Sequence, residues 1–233
     1  MTTIASNLQA VRAAITAATV VAGRTSGEVT LLAVSKTFAP DAIREACHNG
    51  QICFAESYVQ EALHKIVTLH DLPIEWHFIG PIQGNKTRAI AEHFAWVHSI
   101  DRLKIAERLS AQRPAHLPPL QVCLQINISK EASKSGVPSG EAAQLARQVA
   151  QLPRLSLRGL MTIPEPSEDV SAQRAAFAQL RELRDQINRQ GLRLDTLSMG
   201  MSHDFAAAIA EGATMVRIGT AIFGERIYHK EMT

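Results

Sequence analysis

Cysteine is scarce: Cys47, Cys53 and Cys123 are the only three in 233 residues, and no two of them form a CxxC pair. An odd, unpaired set argues against a disulfide framework, and the close ligand clustering of a zinc site is missing, so no metal site is expected. All three sit among apolar neighbours, which predicts small buried hydrophobes in a reducing, cytoplasmic compartment. An excess of one charge is also missing. The 24 basic residues are scattered singly against 22 acidic ones, so neither nucleic acid nor an anionic membrane surface is an expected partner. No apolar run approaches the length of a membrane span. The opening "MTTIASNLQAVRAAITAA" lacks the charged-then-apolar order of a signal peptide.

What the chain does have is alternation. Ile4, Leu8, Val11 and Ile15 repeat at helical spacing and predict an N-terminal amphipathic helix. Short apolar, β-branched runs follow at 30–35, 52–55, 75–80, 96–100, 121–128, 157–163, 196–201 and 215–219. Helical faces lie between them, marked by Val59, Leu63 and Ile66, by Leu145, Val149 and Leu152, and by Phe177, Leu180, Leu183 and Ile187. Strands alternating with helices predict a parallel sheet, because parallel neighbours need crossover connections. Eight such units fit a single-domain (β/α)8 TIM barrel over residues 1–233, with the first helix as an extra element. A doubly wound open sheet is the alternative; it would usually carry a Gly-rich loop after an early strand, and "SKTFAP" is not one.

In such barrels the chemistry sits at the C-terminal ends of the strands. The first run, "LLAVSK", ends in Lys36. Side chains alternate along a strand, so Leu32, Val34 and Lys36 share a face and the lysine rises into the barrel mouth. Arg217, between Val216 and Ile218, points inward by the same rule and needs a partner there. "SMGMS" precedes a segment that reads as a helix starting near Ser202, which makes Ser202 an expected N-cap and its helix start an anion site. Gly219 and Thr220 add a small residue and a hydroxyl at the neighbouring strand end.

Singly, each feature has an ordinary explanation: a surface or ion-paired lysine, a helix cap, a packing glycine, a salt-bridged arginine. His77 reads as a hydrogen-bonded core histidine on the barrel side of its strand. Glu56 and Glu61 read as loop and helix-start charges rather than an acid/base pair. Together, a lysine amine, a phosphate cradle and a permanent cation in one barrel mouth are the parts needed to hold pyridoxal 5′-phosphate.

The blocks "LLAVSKTFAPDAIREA", "FAESYVQEALHKI", "EWHFIGPIQGNK", "INISKEASKSGV", "LRGLMTIP" and "LSMGMSHDFAAAIAEGATMVRIGTAIFG" together resemble the YggS/PROSC family of pyridoxal-phosphate-binding homeostasis proteins. That resemblance implies the barrel of the alanine racemase N-terminal domain, with Lys36 carrying the cofactor as an internal aldimine. It also implies Ser202, Gly219 and Thr220 at the phosphate, Arg217 at the ring nitrogen and Ser57 near the cofactor. The family usually reads "FGENYVQE"; here Ala55 replaces the glycine and Ser57 the asparagine. Gly84 stands where serine is usual.

The same resemblance implies a role in vitamin B6 balance without turnover, with apo pyridoxal-phosphate enzymes as possible clients. Racemase-type catalysis needs a second base, a tyrosine from a C-terminal domain of the partner subunit. The chain closes soon after the last strand, and its tyrosines, Tyr58 and Tyr228, sit in no matching context. A monomer without catalytic residues is therefore expected, with a weak racemase-like amino-acid enzyme on the same site as the alternative.

Overall fold

The computed structural model describes residues 3–129 and 135–225. Residues 130–134 of the "INISKEASKSGV" block and Tyr228 lie outside them. Eight parallel strands form a closed ring: β1 (Thr30–Val34), β2 (Cys53–Glu56), β3 (Glu75–Phe78), β4 (Trp96–Ile100), β5 (Leu120–Asn127), β7 (Leu155–Met161), β8 (Thr196–Ser198) and β9 (Met215–Ile218). Neighbours follow chain order around the ring; β1 pairs with β9, and β4 with β5. The two-residue β6 (Val137–Pro138) adds to β5 outside it. Closure rules out the open doubly wound sheet.

Two cores result, as alternation requires. Leu32, Val34, Cys53, Ala55, Trp96, Cys123, Met161 and Met215 fill the inside of the ring. The opposite faces, Leu31, Ala33, Phe54, Trp76, Phe78 and Val97 among them, pack under the helices in one continuous apolar layer. The strands are therefore apolar on both sides, which is why they read as near-continuous hydrophobic runs.

Helix α1 (Ile4–Val21) is capped by Thr3, whose hydroxyl accepts from the Ser6 N–H while the Ser6 hydroxyl accepts from the Thr3 N–H. It buries Leu8, Val11 and Ile15. At 18 residues and mean hydropathy 1.2 it has the length and composition of a short membrane span, contrary to the expectation that no segment would approach one. The remaining helices include α2 (Pro40–His48), α3 (Val59–Thr68), α6 (Ser139–Ala150), α8 (Phe205–Ala210) and α9 (Thr220–Phe223). Leu152 falls beyond the end of α6, and β8 stops at Ser198, three residues before the run in the sequence does. Gly200, at φ +94°, turns the chain there. A methyl group on it would lie 2.7 Å from Ala208 Cβ and 3.1 Å from Phe205 Cα, so only glycine fits.

Candidate functional site

At the C-terminal mouth of the ring lies a cavity of about 220 Å³. Lys36, Ser57, Ser202, Arg217, Gly219 and Thr220 all line it. The tertiary structure thus brings together six residues drawn from four separate stretches of chain. Val34, Ile79 and Ile163 give it apolar wall, and Met201 and His203 complete the rim.

Lys36 is half-buried, one residue past the buried Ser35. Its neighbour Thr37 sits at φ +71°, a conformation costly for a β-branched residue. A buried charge cluster behind the strand end holds it there. Lys65 Nζ, on α3, donates to Ser35 O at 2.8 Å, to Glu56 Oε1 at 2.8 Å and to Glu61. Glu56 Oε1 also accepts from the Ser35 hydroxyl at 2.6 Å, and Glu61 Oε1 accepts the Thr37 N–H at 2.6 Å. Ser35 and Thr37, on either side of Lys36, are thereby tied to one knot.

Glu56 is fully buried, which corrects the reading of it as a loop charge; Glu61 does stand in the first turn of α3. Burial pushes the Glu56 carboxyl above its usual range, with Lys65 working against it. Its Oε2 has no hydrogen-bond partner among the described residues. Lys65, which the sequence reading did not single out, is 2% exposed. Its spacing of four from Glu61 was the signal available.

Arg217 is buried, and its partners are backbone and hydroxyl oxygens rather than a carboxylate. Nη1 donates to Ser198 O at 2.6 Å and Ser198 Oγ at 2.9 Å, and Nη2 donates to Thr162 O at 2.8 Å. Burial holds the guanidinium down to about 10, still far above neutrality, so it stays a cation. These bonds account for three of its five N–H groups. Nε–H and one Nη2–H remain uncommitted among the described residues, in a side chain that lines the cavity.

Ser202 is not a helix cap. Helix α8 begins at Phe205, Asp204 holds the cap position, and its carboxylate accepts the Met201 N–H at 2.6 Å. Ser202 lies in the turn before it, because Asp204 closes the turn first. Its backbone N–H makes no backbone hydrogen bond among the described residues, and it lines the cavity all the same. On the facing side, Thr220 and Ala221 begin α9, where first-turn N–H groups have no carbonyl to reach within the helix. Gly219 lets that turn approach β1: a Cβ there would lie 3.0 Å from Val34 O. Two backbone segments with open N–H groups thus line the same cavity as a cation, an arrangement suited to an anion.

Beneath the mouth, the ring interior carries an unexpected polar line. His77 is a buried, hydrogen-bonded core histidine as the sequence reading holds. Its ring stacks on Trp96 with centroids 5.5 Å apart. It bonds to Glu75 on one side and His98 on the other, and His98 reaches Ser198. Burial lowers both imidazoles, His98 well below the usual histidine range. Cys53, Glu75 and His77 have donor atoms within 4.8 Å of one another, and burial pushes the Cys53 thiol up to about 12. All three cysteines are free and buried, as expected. Glu75 and His98 carry no motif in the sequence, although the i, i+2 rule places Glu75 with His77 and His98 with Trp96 on the inner face; Ser198, one of the two hydroxyls of "SMGMS", serves Arg217 and His98 and does not line the cavity.

Comparison with known proteins gives a consistent picture. A family model described as the N-terminal domain of alanine racemase matches residues 4–227. The chain is 62% identical over 228 residues to the pyridoxal phosphate homeostasis protein of Pseudomonas aeruginosa, covering 98% of each. It is 54% identical over 234 residues to that of Escherichia coli K12, covering 99% of this chain and 100% of the relative. Among solved structures, PipY of Synechococcus elongatus PCC7942 with PLP bound is similar at TM-score 0.83 and 39% identity, covering 95% of this chain and 100% of PipY. The alanine racemase of Corynebacterium glutamicum, 19% identical, shares the fold at TM-score 0.69 over 97% of this chain and 62% of its own.

Proposed function

The chain belongs to the family of pyridoxal phosphate homeostasis proteins, and we propose that it holds pyridoxal 5′-phosphate as a Schiff base on Lys36 without turning over a substrate. The observation that carries this reading is the convergence on one cavity of a lysine amine, a cation with two uncommitted N–H groups, and two backbone segments with open N–H groups. When bound, the cofactor supplies an aldehyde for the amine and an electron-withdrawing ring. Lys36 would hold the cofactor through its amine, with loss of one water. Ser202, Gly219 and Thr220 would hold the phosphate, Ser57 a polar edge, and Arg217 would supply a donor to the ring nitrogen. An arginine there gives a hydrogen bond but does not protonate the nitrogen, which keeps the ring a weak electron sink. That restraint suits a carrier.

Borohydride treatment of the loaded protein followed by peptide mass spectrometry tests the assignment. A pyridoxyl adduct on the Lys36 peptide is expected, and its absence there overturns the covalent reading. We infer a cytoplasmic monomer that passes cofactor to apo pyridoxal-phosphate enzymes; three free buried thiols support a reducing compartment.

One observation favours a second reading. His203 stands on the cavity rim and is a possible second base beside Lys36, as a weak amino-acid enzyme would need. The carrier reading expects no α-proton exchange of amino acids in deuterated water. Exchange that His203→Ala abolishes would replace it with the enzyme reading.

A further inference from the structure

The polar line under the cavity has a lower end, Glu75, that leaves its protons no choice of order. At the base of the ring, the Glu75 side chain is 45% exposed, and its carboxyl is held below the usual range chiefly by the hydrogen bond from His77; as a carboxylate it can only accept. At the top, the guanidinium of Arg217 can only donate. Between them run four links. Glu75 Oε1 lies 3.0 Å from His77 Nε2, His77 Nδ1 lies 3.0 Å from His98 Nε2, His98 Nδ1 lies 2.9 Å from Ser198 Oγ, and Arg217 Nη1 lies 2.9 Å from the same Oγ.

A neutral imidazole has one donor and one acceptor nitrogen. Glu75 therefore requires the His77 proton on Nε2, which makes Nδ1 an acceptor and requires the His98 proton on Nε2. His98 Nδ1 then accepts the Ser198 hydroxyl proton, and Ser198 Oγ is left to accept from Arg217. Every donor points from the mouth toward the base. Each link is satisfied in this order, and reversing any one sets two donors or two acceptors against each other.

We propose that Glu75, His77, His98 and Ser198 are positioning residues for Arg217: the line they form with it carries a single proton order, which fixes the guanidinium and so the N–H groups it offers the cavity. With Nη1 held by Ser198, and Thr162 O taking one Nη2–H, the guanidinium plane cannot rotate, and Nε–H and the second Nη2–H are left uncommitted in a side chain that lines the cavity. A carboxylate directly on Arg217 would also have held it, at the cost of neutralising its charge where the ligand needs a donor. The histidines instead lead the hydrogen bonds away to Glu75 at the far end of the barrel, and the carboxylate whose charge acts on the guanidinium, Asp204, makes no hydrogen bond to it among the described residues. The effect on the cofactor rests on the reading of the cavity given above; the proton order does not.

The test uses the full chain. In apo protein labelled with ¹⁵N-histidine, NMR at neutral pH is expected to show His77 and His98 neutral, both with the proton on Nε2. A proton on Nδ1 of either, or a charged imidazole, overturns the proposal. Glu75→Gln keeps an acceptor oxygen for His77 and is expected to leave the His98 signals in place. Glu75→Leu removes it and is expected to move them toward the Nδ1-protonated form, two links from the substitution. Loaded with pyridoxal phosphate, the leucine variant is expected to retain it about fivefold less tightly, with a displaced absorbance band, and the glutamine variant to match wild type. His98 signals and an absorbance band unmoved in Glu75→Leu would show ordinary packing and overturn the relay. Failure of the wild type to take up pyridoxal phosphate would instead sink the cofactor reading and leave the tautomer result standing.

Discussion

Lys65 shows how much of a site can depend on a residue that never touches its ligand. It is buried against Glu56, itself fully buried, and their bonds fix the backbone on either side of Lys36. Removing one partner of such a pair strands the other charge, so Lys65→Met is expected to cost about 3–5 kcal/mol in chemical denaturation. The double variant with Glu56→Leu is expected to recover most of it. His98 makes a different prediction. Its folded value lies below the unfolded one near 6.5, so the unfolded chain binds more protons as the pH falls through that range. Stability at this site is therefore present above about pH 6.5 and lost below it. Melting temperatures at pH 7 and pH 5 should show the advantage of wild type over His98→Gln narrowing in acid.

At the scale of elements, the site is made by strand ends and the turns after them. β1 and β9 lie in register with Leu32 beside Arg217, which sets Lys36 above the guanidinium layer. The turn after β8 depends on Gly200, whose carbonyl accepts the Arg217 N–H at 2.9 Å. Gly200→Ala forces a positive φ on a residue with a Cβ and pushes it into Ala208. The expected cost is about 1–3 kcal/mol, with cofactor retention falling because Met201–His203 move off the cavity. Equilibrium dialysis against pyridoxal phosphate measures that loss. These turns explain where the sequence was hard to read. Asp204 competes with Ser202 for the cap, and both are good capping residues in a run of polar ones; only the fold decides which side chain faces the cavity.

For the whole molecule, a closed ring means that cofactor bound at the mouth stabilises the folded state as a unit. At about a hundredfold excess over the dissociation constant the gain is about 2.7 kcal/mol, which for a chain of this size raises the melting temperature by roughly 5–10 °C. Differential scanning fluorimetry with and without pyridoxal phosphate checks this. Lys36→Ala is expected to lose most of the shift; a full shift in that variant would mean that the phosphate cradle alone carries the affinity.

The amino-acid pattern specifies the barrel and sets Lys36 and Arg217 on its inner side, because alternation is a local property that a period of two makes legible; Ser57 was legible only through the resemblance to a known family. The pattern did not reveal Glu75, His98 and Ser198 as a line, nor Glu56, Lys65 and Glu61 as a knot. The line joins residues up to 100 positions apart, and only closure of the ring, which sets β3 and β4 across from β8, brings its side chains within hydrogen-bonding distance; the knot needs α3 folded back over the ends of β1 and β2. Burial then decided their chemistry: in water the same histidines and carboxylates would be independent solvated groups, whereas in the interior each must find its partner among the neighbours the fold supplies.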